Sequence, residues 1–321
     1  MDKFASTTLQ TIPVTYKNFP RAETHKMFAS YRSSLGKISH MREPVDIDKQ
    51  NVIRMNRDTL YSYTLLDLNN PATITKPETD GRFQSMIAYN EDQYIPLVAY
   101  KPGKYVLTKE SIGSRYVIVA FRTLVNPNDS EDIKEVHAIQ DQIELKQASP
   151  GIFEIPDWDK VSLDKVRNAL LVLAETMEDY KGSFGSKDEV DPVKYLIGSA
   201  SGWGGNPTKD TIYVGVTPKN NDGKTAYTLD VKDVPVDGFW SVSLYNAKGY
   251  YEKNEYNAYS INNITGKRDK DGVVRIHFGG DPQKPNYLPI MPGWNYLIRM
   301  YQPHKKVLKG TWSFPEPVEV K

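Results

Sequence analysis

The sequence has no cysteine. That single absence removes disulfides, thiolate nucleophiles, zinc–thiolate sites and iron–sulfur clusters. Long apolar runs are missing too. The longest purely aliphatic stretch, Ala169 to Ala174, is far short of the roughly 20 residues that cross a bilayer, so no membrane span is expected. Met1 to Ser6 lacks the apolar centre of an export signal, which fits either a cytoplasmic chain or an exported one whose leader has been removed; the localisation is unknown. Nor is there an excess of one charge: 41 Lys and Arg stand against 40 Asp and Glu, for a formal net charge of +1. With no long like-charge block, no nucleic-acid partner is expected. The densest basic segment, His304 to Lys306 with Lys309, reads as a solvated turn after a strand.

The signatures of several standard chemistries are also lacking. His25, His40, His137, His277 and His304 include no pair at metal-ligand spacing on one element, so no metal site is expected. There is no Gly-x-Ser-x-Gly elbow and no dinucleotide fingerprint opening a helix, so neither a serine triad nor a cofactor is indicated. Gly198 to Pro207 is glycine-rich but ends in Asn206-Pro207, where a phosphate loop needs Lys followed by Ser or Thr. It reads as an interdomain loop, with Trp203 lining the cleft it borders. Asp269-Lys270-Asp271-Gly272 resembles a fragment of a calcium loop but lacks the Glu at loop position twelve, and reads as a hairpin turn, as does Asn220 to Gly223.

What is present is β-rich. The chain of 321 residues is long enough for two domains, and its 21 Gly, 21 Pro and 21 Tyr are spread among short apolar segments, a mainly β pattern within an α+β whole. Strands are predicted over Thr59 to Leu68, Thr211 to Val216, Trp240 to Tyr245 and Tyr296 to Tyr301. Helices are predicted over Arg21 to Leu35, from a Ser130 cap through Ile143, and over Ser162 to Tyr180. Tyr296 to Tyr301 is apolar on both faces, which places Arg299 as a buried guanidinium needing an acid or several carbonyls.

Asn56-Arg57-Asp58-Thr59-Leu60-Tyr61 packs an amide, a guanidinium, a carboxylate and a phenol where a loop enters a strand. Two readings fit. Arg57 and Asp58 could serve an anionic substrate, or they could bridge internally and pin the loop. Asp58, Asp67, Asp141 and Asp210 all sit among apolar neighbours, and paired carboxylates at the right separation can cleave glycosides.

Two stretches carry a family resemblance. Asn56 to Ser62, Leu66-Asp67-Leu68, Gly81-Arg82-Phe83 and Gln140-Asp141-Gln142 resemble domain of unknown function 1254. Gly205-Asn206-Pro207, Asp210, Tyr213, Phe239 to Tyr245, Tyr259-Ser260-Ile261, Asn286 to Pro289, Arg299 to Pro303 and Gly310-Thr311-Trp312 resemble domain of unknown function 1214, with Tyr287 where Trp is more usual. The resemblance implies an N-terminal helical segment (1–39), an immunoglobulin-like β-sandwich (40–147), a helical linker (148–194) and a jelly-roll-like sandwich (195–321). It carries no settled activity. On the residues alone, the expectation is an enzyme or binder for a small polar or carbohydrate-like ligand in a cleft between the sandwiches. As an enzyme it would be a metal-independent hydrolase or lyase. Asp58, Arg57 and Tyr61 are its catalytic candidates, and Asn56, Tyr245, Arg299, Trp203 and Asn286 its binding candidates. The competing expectation is a non-catalytic structural or interaction protein, possible as a homo-oligomer, in which the Asn-Arg-Asp motif is a polar interdomain lock.

Overall fold

Pro20 in the first turn and Gly36 beyond the end bracket the first helix, α1 (Phe19–Ser30), which passes through a 3₁₀ turn at Arg32–Ser34 before Gly36 turns the chain at φ 66°. The computed structural model describes residues 11–50 and 53–321. After α1 come β1 (Ser39–His40), β2 (Thr59–Asp67), β3 (Ala72–Lys76), β4 (Gln84–Asn90), β5 (Leu97–Ala99), β6 (Gly103–Leu107), α2 (Lys109–Ile112), β7 (Tyr116–Leu124), α3 (Ser130–Asp141) and β8 (Glu144–Gln147). They form a five-stranded sheet, β1-β2-β7-β4-β5, and a three-stranded sheet, β6-β3-β8. The longest ladder is antiparallel, running from Thr59 opposite Leu124 to Asp67 opposite Tyr116.

One face of the large sheet (Leu66, Met86, Val119, Phe121) packs on Ile74 and Leu107 of the small one. The other face (Leu65, Ile87, Ile118) is covered by Phe28 of α1 and by Phe153 and Phe184 from the connecting segments. Burial on both faces explains why β2, β4 and β7 read as nearly continuous apolar runs.

The connection holds two long helices, α4 (Lys160–Ala174) and α5 (Pro192–Ser201). The C-terminal sandwich follows: β9 (Thr211–Val216), β10 (Tyr227–Val231), β11 (Trp240–Tyr245), β12 (Ser260–Asn262), β13 (Val274–Phe278), β14 (Tyr287–Leu288), β15 (Asn295–Tyr301), α6 (Lys305–Leu308) and β16 (Val318–Glu319). Its sheets are β14-β13-β10-β16 and β12-β11-β15-β9, two layers of four strands as in a jelly roll. Trp240, Val242, Ile298 and Met300 face Leu229, Ile276 and Phe278 across the core. The opposite face of the β11–β15 sheet carries Ser241, Ser243, Tyr245, Arg299 and Tyr301, all buried, because it lies against the N-terminal half. The fold is mainly β and sandwich-like, as expected.

Several local expectations need correction. The α3 cap is Asp129, whose carboxylate accepts from the N–H groups of Glu131 and Asp132, and Ser130 is the first helical residue. Helix α4 stops at Ala174 instead of Tyr180; Leu173, on the expected stripe, is 49% exposed, and Met177 reaches the same core from beyond the helix end. Residues 198–201 are the last turn of α5 and not loop; Asp191 caps that helix through the Val193 and Lys194 N–H groups. Both predicted hairpins are corners of the sandwich: β9 and β10 belong to different sheets, as do β12 and β13. The turn chemistry itself was read correctly, with Gly223 and Gly272 both at φ 79°.

Those two glycines give a matched test. A Cβ on Gly272 meets nothing within 4 Å, whereas one on Gly223 lies 2.6 Å from the Pro292 backbone nitrogen. Gly272→Ala should lower the unfolding free energy by about 1–2 kcal/mol, the left-handed backbone cost alone. Gly223→Ala should cost more, because the 291–292 backbone must also move. Urea unfolding of both variants checks the order.

Candidate functional site

The loop ahead of β2 is held by a guanidinium from the other domain. Arg299 donates through Nη1 to Ser243 Oγ (2.9 Å) and through Nη2 to the Arg54 carbonyl (2.7 Å) and Tyr245 Oη (2.8 Å). Tyr245 in turn donates to the Met55 carbonyl at 2.7 Å. A buried guanidinium without an acid must find such carbonyls and hydroxyls. The Arg54 backbone sits at φ 55°, which turns its carbonyl and the next into the same space.

Asn56 and Asp58 continue the contact. Asn56 Oδ1 accepts the Asp58 N–H at 2.8 Å, closing a local turn, and Asn56 Nδ2 donates to Tyr301 Oη at 3.1 Å. Asp58 is 0% exposed; its Oδ1 accepts from Ser260 Oγ and Asn262 Nδ2, both at 3.0 Å, while Oδ2 has no partner. Arg57 does not bridge to Asp58. It donates to the Val45 carbonyl and lies over the Tyr259 ring, 4.9 Å from its centroid. Thus an internal Arg–Asp bridge is absent, and the loop joins the C-terminal domain through hydroxyl, amide and carbonyl groups.

Of the remaining candidates, Tyr61 lines a second polar cluster and Asn286 stands apart. Asn286 braces its own sandwich, accepting from the Lys267 N–H and donating to the Lys267 and Arg275 carbonyls. The Tyr61 ring carries the guanidinium of Arg122 at 5.6 Å. Arg122 donates through Nη2 to Tyr89 Oη (3.2 Å) and the Gly204 carbonyl (2.9 Å), and its Nη1 has no partner. Trp203 packs on Tyr89 and donates to Thr24 Oγ1 at 3.1 Å, so it covers this cluster and does not line an open cleft. The glycine-rich segment supplies a carbonyl to a buried arginine, the reverse of a phosphate cradle. Sequence reasoning missed Arg122, although its strand shows the same signal that marked Arg299: one guanidinium inside an apolar run. It also missed Ser260 and Asn262, whose alternation in β12 places both on one face.

A cleft of about 330 Å³ opens between Ile95–Val98 of the first domain and Glu189, Pro207, Lys209 and Asp210 of the connection. Glu189 pairs with Lys209. Asp210 is 7% exposed; Oδ1 accepts from Tyr100 Oη at 2.9 Å and Oδ2 has no partner. Burial raises the Asp210 carboxyl above its ordinary value, partly offset by the Tyr100 bond, and burial beside Asp210 also raises the Tyr100 phenol. The other acids differ. Asp67 is bound bidentately by Arg115 at 3.0 and 2.7 Å; burial alone would raise it, but Arg115 and two backbone N–H groups hold it below the usual range. Asp141 pairs with Arg42 on the surface. Among the described residues, no group of three His, Asp or Glu is arranged to hold a metal ion, and no helix is long and apolar enough to cross a membrane.

Two substitutions separate the interfacial acids. Asp58→Asn should lower stability at neutral pH by about 1.5–3 kcal/mol, since a charged acceptor serving two donors is lost. Asp210→Asn should melt at or above the wild type. A carboxyl raised in the folded state contributes stability below its unfolded value near pH 3.8 and loses it as the pH rises through the folded value. The Asp210→Asn advantage should therefore grow from pH 4 to pH 7, which thermal melts across that range will measure.

Comparison with known proteins places this architecture. The family model for protein of unknown function DUF1254 matches residues 35–147, and that for protein of unknown function DUF1214 matches residues 212–305. No curated protein matches the chain. Among solved structures, the VPA0106 protein from Vibrio parahaemolyticus superposes with a TM-score of 0.72 at 19% identity, over 95% of this chain and 98% of that one. An uncharacterised protein from Burkholderia cenocepacia gives a TM-score of 0.53 at 12% identity, over 95% of this chain and 87% of that one. Identities this low establish shared fold alone. Both family models are matched in order along one polypeptide, so this chain carries a DUF1254 region followed by a DUF1214 region.

Proposed function

We propose that the chain binds a small polar, carbohydrate-like molecule in the cleft between its N-terminal domain and the connecting segment and acts on it by acid–base chemistry, with Asp210 as proton donor. In this reading Asn56, Arg57, Asp58 and Arg299 are an interdomain lock. The observation that carries it is Asp210 itself: a buried carboxyl, raised by burial, with one oxygen unpaired, in the wall of the 330 Å³ cleft. A carboxyl raised above its ordinary value by burial is the kind of group that donates a proton to a leaving group. Asp58 lacks that setting. It is wholly buried, and neither it nor Arg57 or Arg299 lines the cleft, which supports the locking role for the motif. Tyr245 then belongs to the lock and Tyr61 to the buried cluster beside it.

The test is a thermal-shift screen of neutral sugars, polyols and sugar acids, followed by product analysis of each stabilising compound. Val98→Trp, which fills the cleft, should abolish the ligand-induced shift with little change in the ligand-free melt. Asp210→Asn should keep binding and reduce turnover by about 10²–10⁴-fold. A ligand shift that survives Val98→Trp would sink the cleft assignment, and undiminished turnover in Asp210→Asn would sink the acid.

A further inference from the structure

Ten of the twelve arginines fall into two groups; the other two, Arg32 and Arg268, lie away from the junction of the two halves. Arg21, Arg42, Arg82, Arg115, Arg167 and Arg275 each face a carboxylate. Arg54, Arg57, Arg122 and Arg299, all at the junction of the two halves, have none within ion-pair distance among the described residues. Arg57 and Arg299 spend donors on carbonyls and hydroxyls, whereas Arg54 Nη1 and Arg122 Nη1 are both buried and unpaired. The surrounding phenols cannot neutralise this charge, because burial raises Tyr89, Tyr213 and Tyr301 and keeps them protonated. Four guanidiniums therefore share a low-dielectric layer with Asp58, whose one engaged oxygen is taken by Ser260 and Asn262. Uncompensated buried charge of one sign is costly, and an anion entering the layer relieves it.

Strand register shows which groups such an anion would meet. Across the five-stranded sheet, Arg122 lies opposite Tyr61 on one side and opposite Ser85 on the other, each about 5 Å away along the hydrogen-bonding direction. Met86 lies opposite Ala99, so Tyr100, one residue on, continues the row beyond Ser85. The row thus reads Tyr61, Arg122, Ser85, Tyr100, and ends on Asp210. Within it three polar atoms lack a partner: Arg122 Nη1, Ser85 Oγ and Asp210 Oδ2. Arg122 is 8% exposed and Ser85 1%. The Arg122 guanidinium and the Ser85 hydroxyl are both donors. Unpaired donors beside surplus positive charge are complementary to an oxyanion.

We propose that Arg122 and Ser85 form an oxyanion site, holding the carboxylate or phosphate group of a small molecule whose remainder extends past Tyr100 toward the Asp210 cleft. This deepens the cleft reading by assigning the ligand a negative charge, and it rests on that reading for the route of entry.

The experiment titrates the full chain with inorganic phosphate and, separately, with acetate and succinate, each against chloride at matched ionic strength, by calorimetry and thermal melting. Saturable binding of either class is expected; phosphate binding alone identifies a phosphoryl ligand, and carboxylate binding alone a carboxylic acid. Arg122→Gln should weaken the affinity by about tenfold to a hundredfold, while its ligand-free melt stays at or above that of the wild type. Ser85→Ala should weaken it by about two- to tenfold; it carries the test alone if Arg122→Gln does not fold. Absence of oxyanion binding to the wild type, or equal binding by the variant that folds, overturns the inference. A neutral sugar that stabilises the wild type but not Val98→Trp, with no oxyanion bound, overturns it and leaves the cleft reading standing. Oxyanion binding that Arg122→Gln abolishes but Val98→Trp leaves intact supports the site and removes the cleft as its entrance.

Discussion

Arg299 is charged, buried to 3% exposure and without a carboxylate, and its need for acceptors organises the junction. Those acceptors are the carbonyls of the 54–55 segment together with Ser243 and Tyr245. Drawing that segment onto the C-terminal sheet delivers Asn56 to Tyr301 and Asp58 to Ser260 and Asn262. The apolar contact then follows: Phe83 of the first domain packs against Phe239 and Tyr301 of the second at centroid distances of 5.0 and 5.3 Å. Polar groups set the orientation of the halves, and the aromatic cluster fills the space that orientation leaves.

The two interfacial aspartates illustrate how environment divides one residue type. Asp58 receives donors from a strand built to present them. Asp210 receives one phenol; in both acids the second oxygen has no partner. Two donors from one strand fix Asp58 in place, whereas burial raises the Asp210 carboxyl above its ordinary value. The two acids meet opposite edges of one sheet, Asp58 at β12 and Asp210 at the start of β9, and a motif dense in polar residues is a poor guide to chemistry until its partners are known.

Much of the fold was legible because strand composition and turn chemistry agree. Strands β9 and β11 begin and end where β-branched and aromatic residues meet polar or turn residues, and Arg299 betrayed its burial by interrupting an apolar run. The same logic, applied to Tyr116–Leu124, would have found Arg122. Helix α5 escaped because Gly198, Ser199 and Ser201 are weak helix formers, although Asp191-Pro192 is a sound start signal. The corners at Gly223 and Gly272 were taken for hairpins because a turn's local chemistry does not encode which sheet the next strand joins. The site was the least legible. The partners of Asp58 lie 202 and 204 residues away in sequence, and no spacing rule reaches that far.

That separation also has a consequence for biosynthesis. At about 5–20 residues per second, Asn262 is made roughly 10 to 40 seconds after Asp58. During that interval the N-terminal sandwich can complete its own core, but the Arg54 and Met55 carbonyls and the Asp58 carboxylate have only water in place of their C-terminal partners. The nascent half thus presents a hydrated, charged loop where an apolar face would invite association with other chains. A junction built from guanidinium, carboxylate and hydroxyl groups is therefore safe to leave unfinished on the ribosome, and desolvation is postponed until the partner strand exists to receive it.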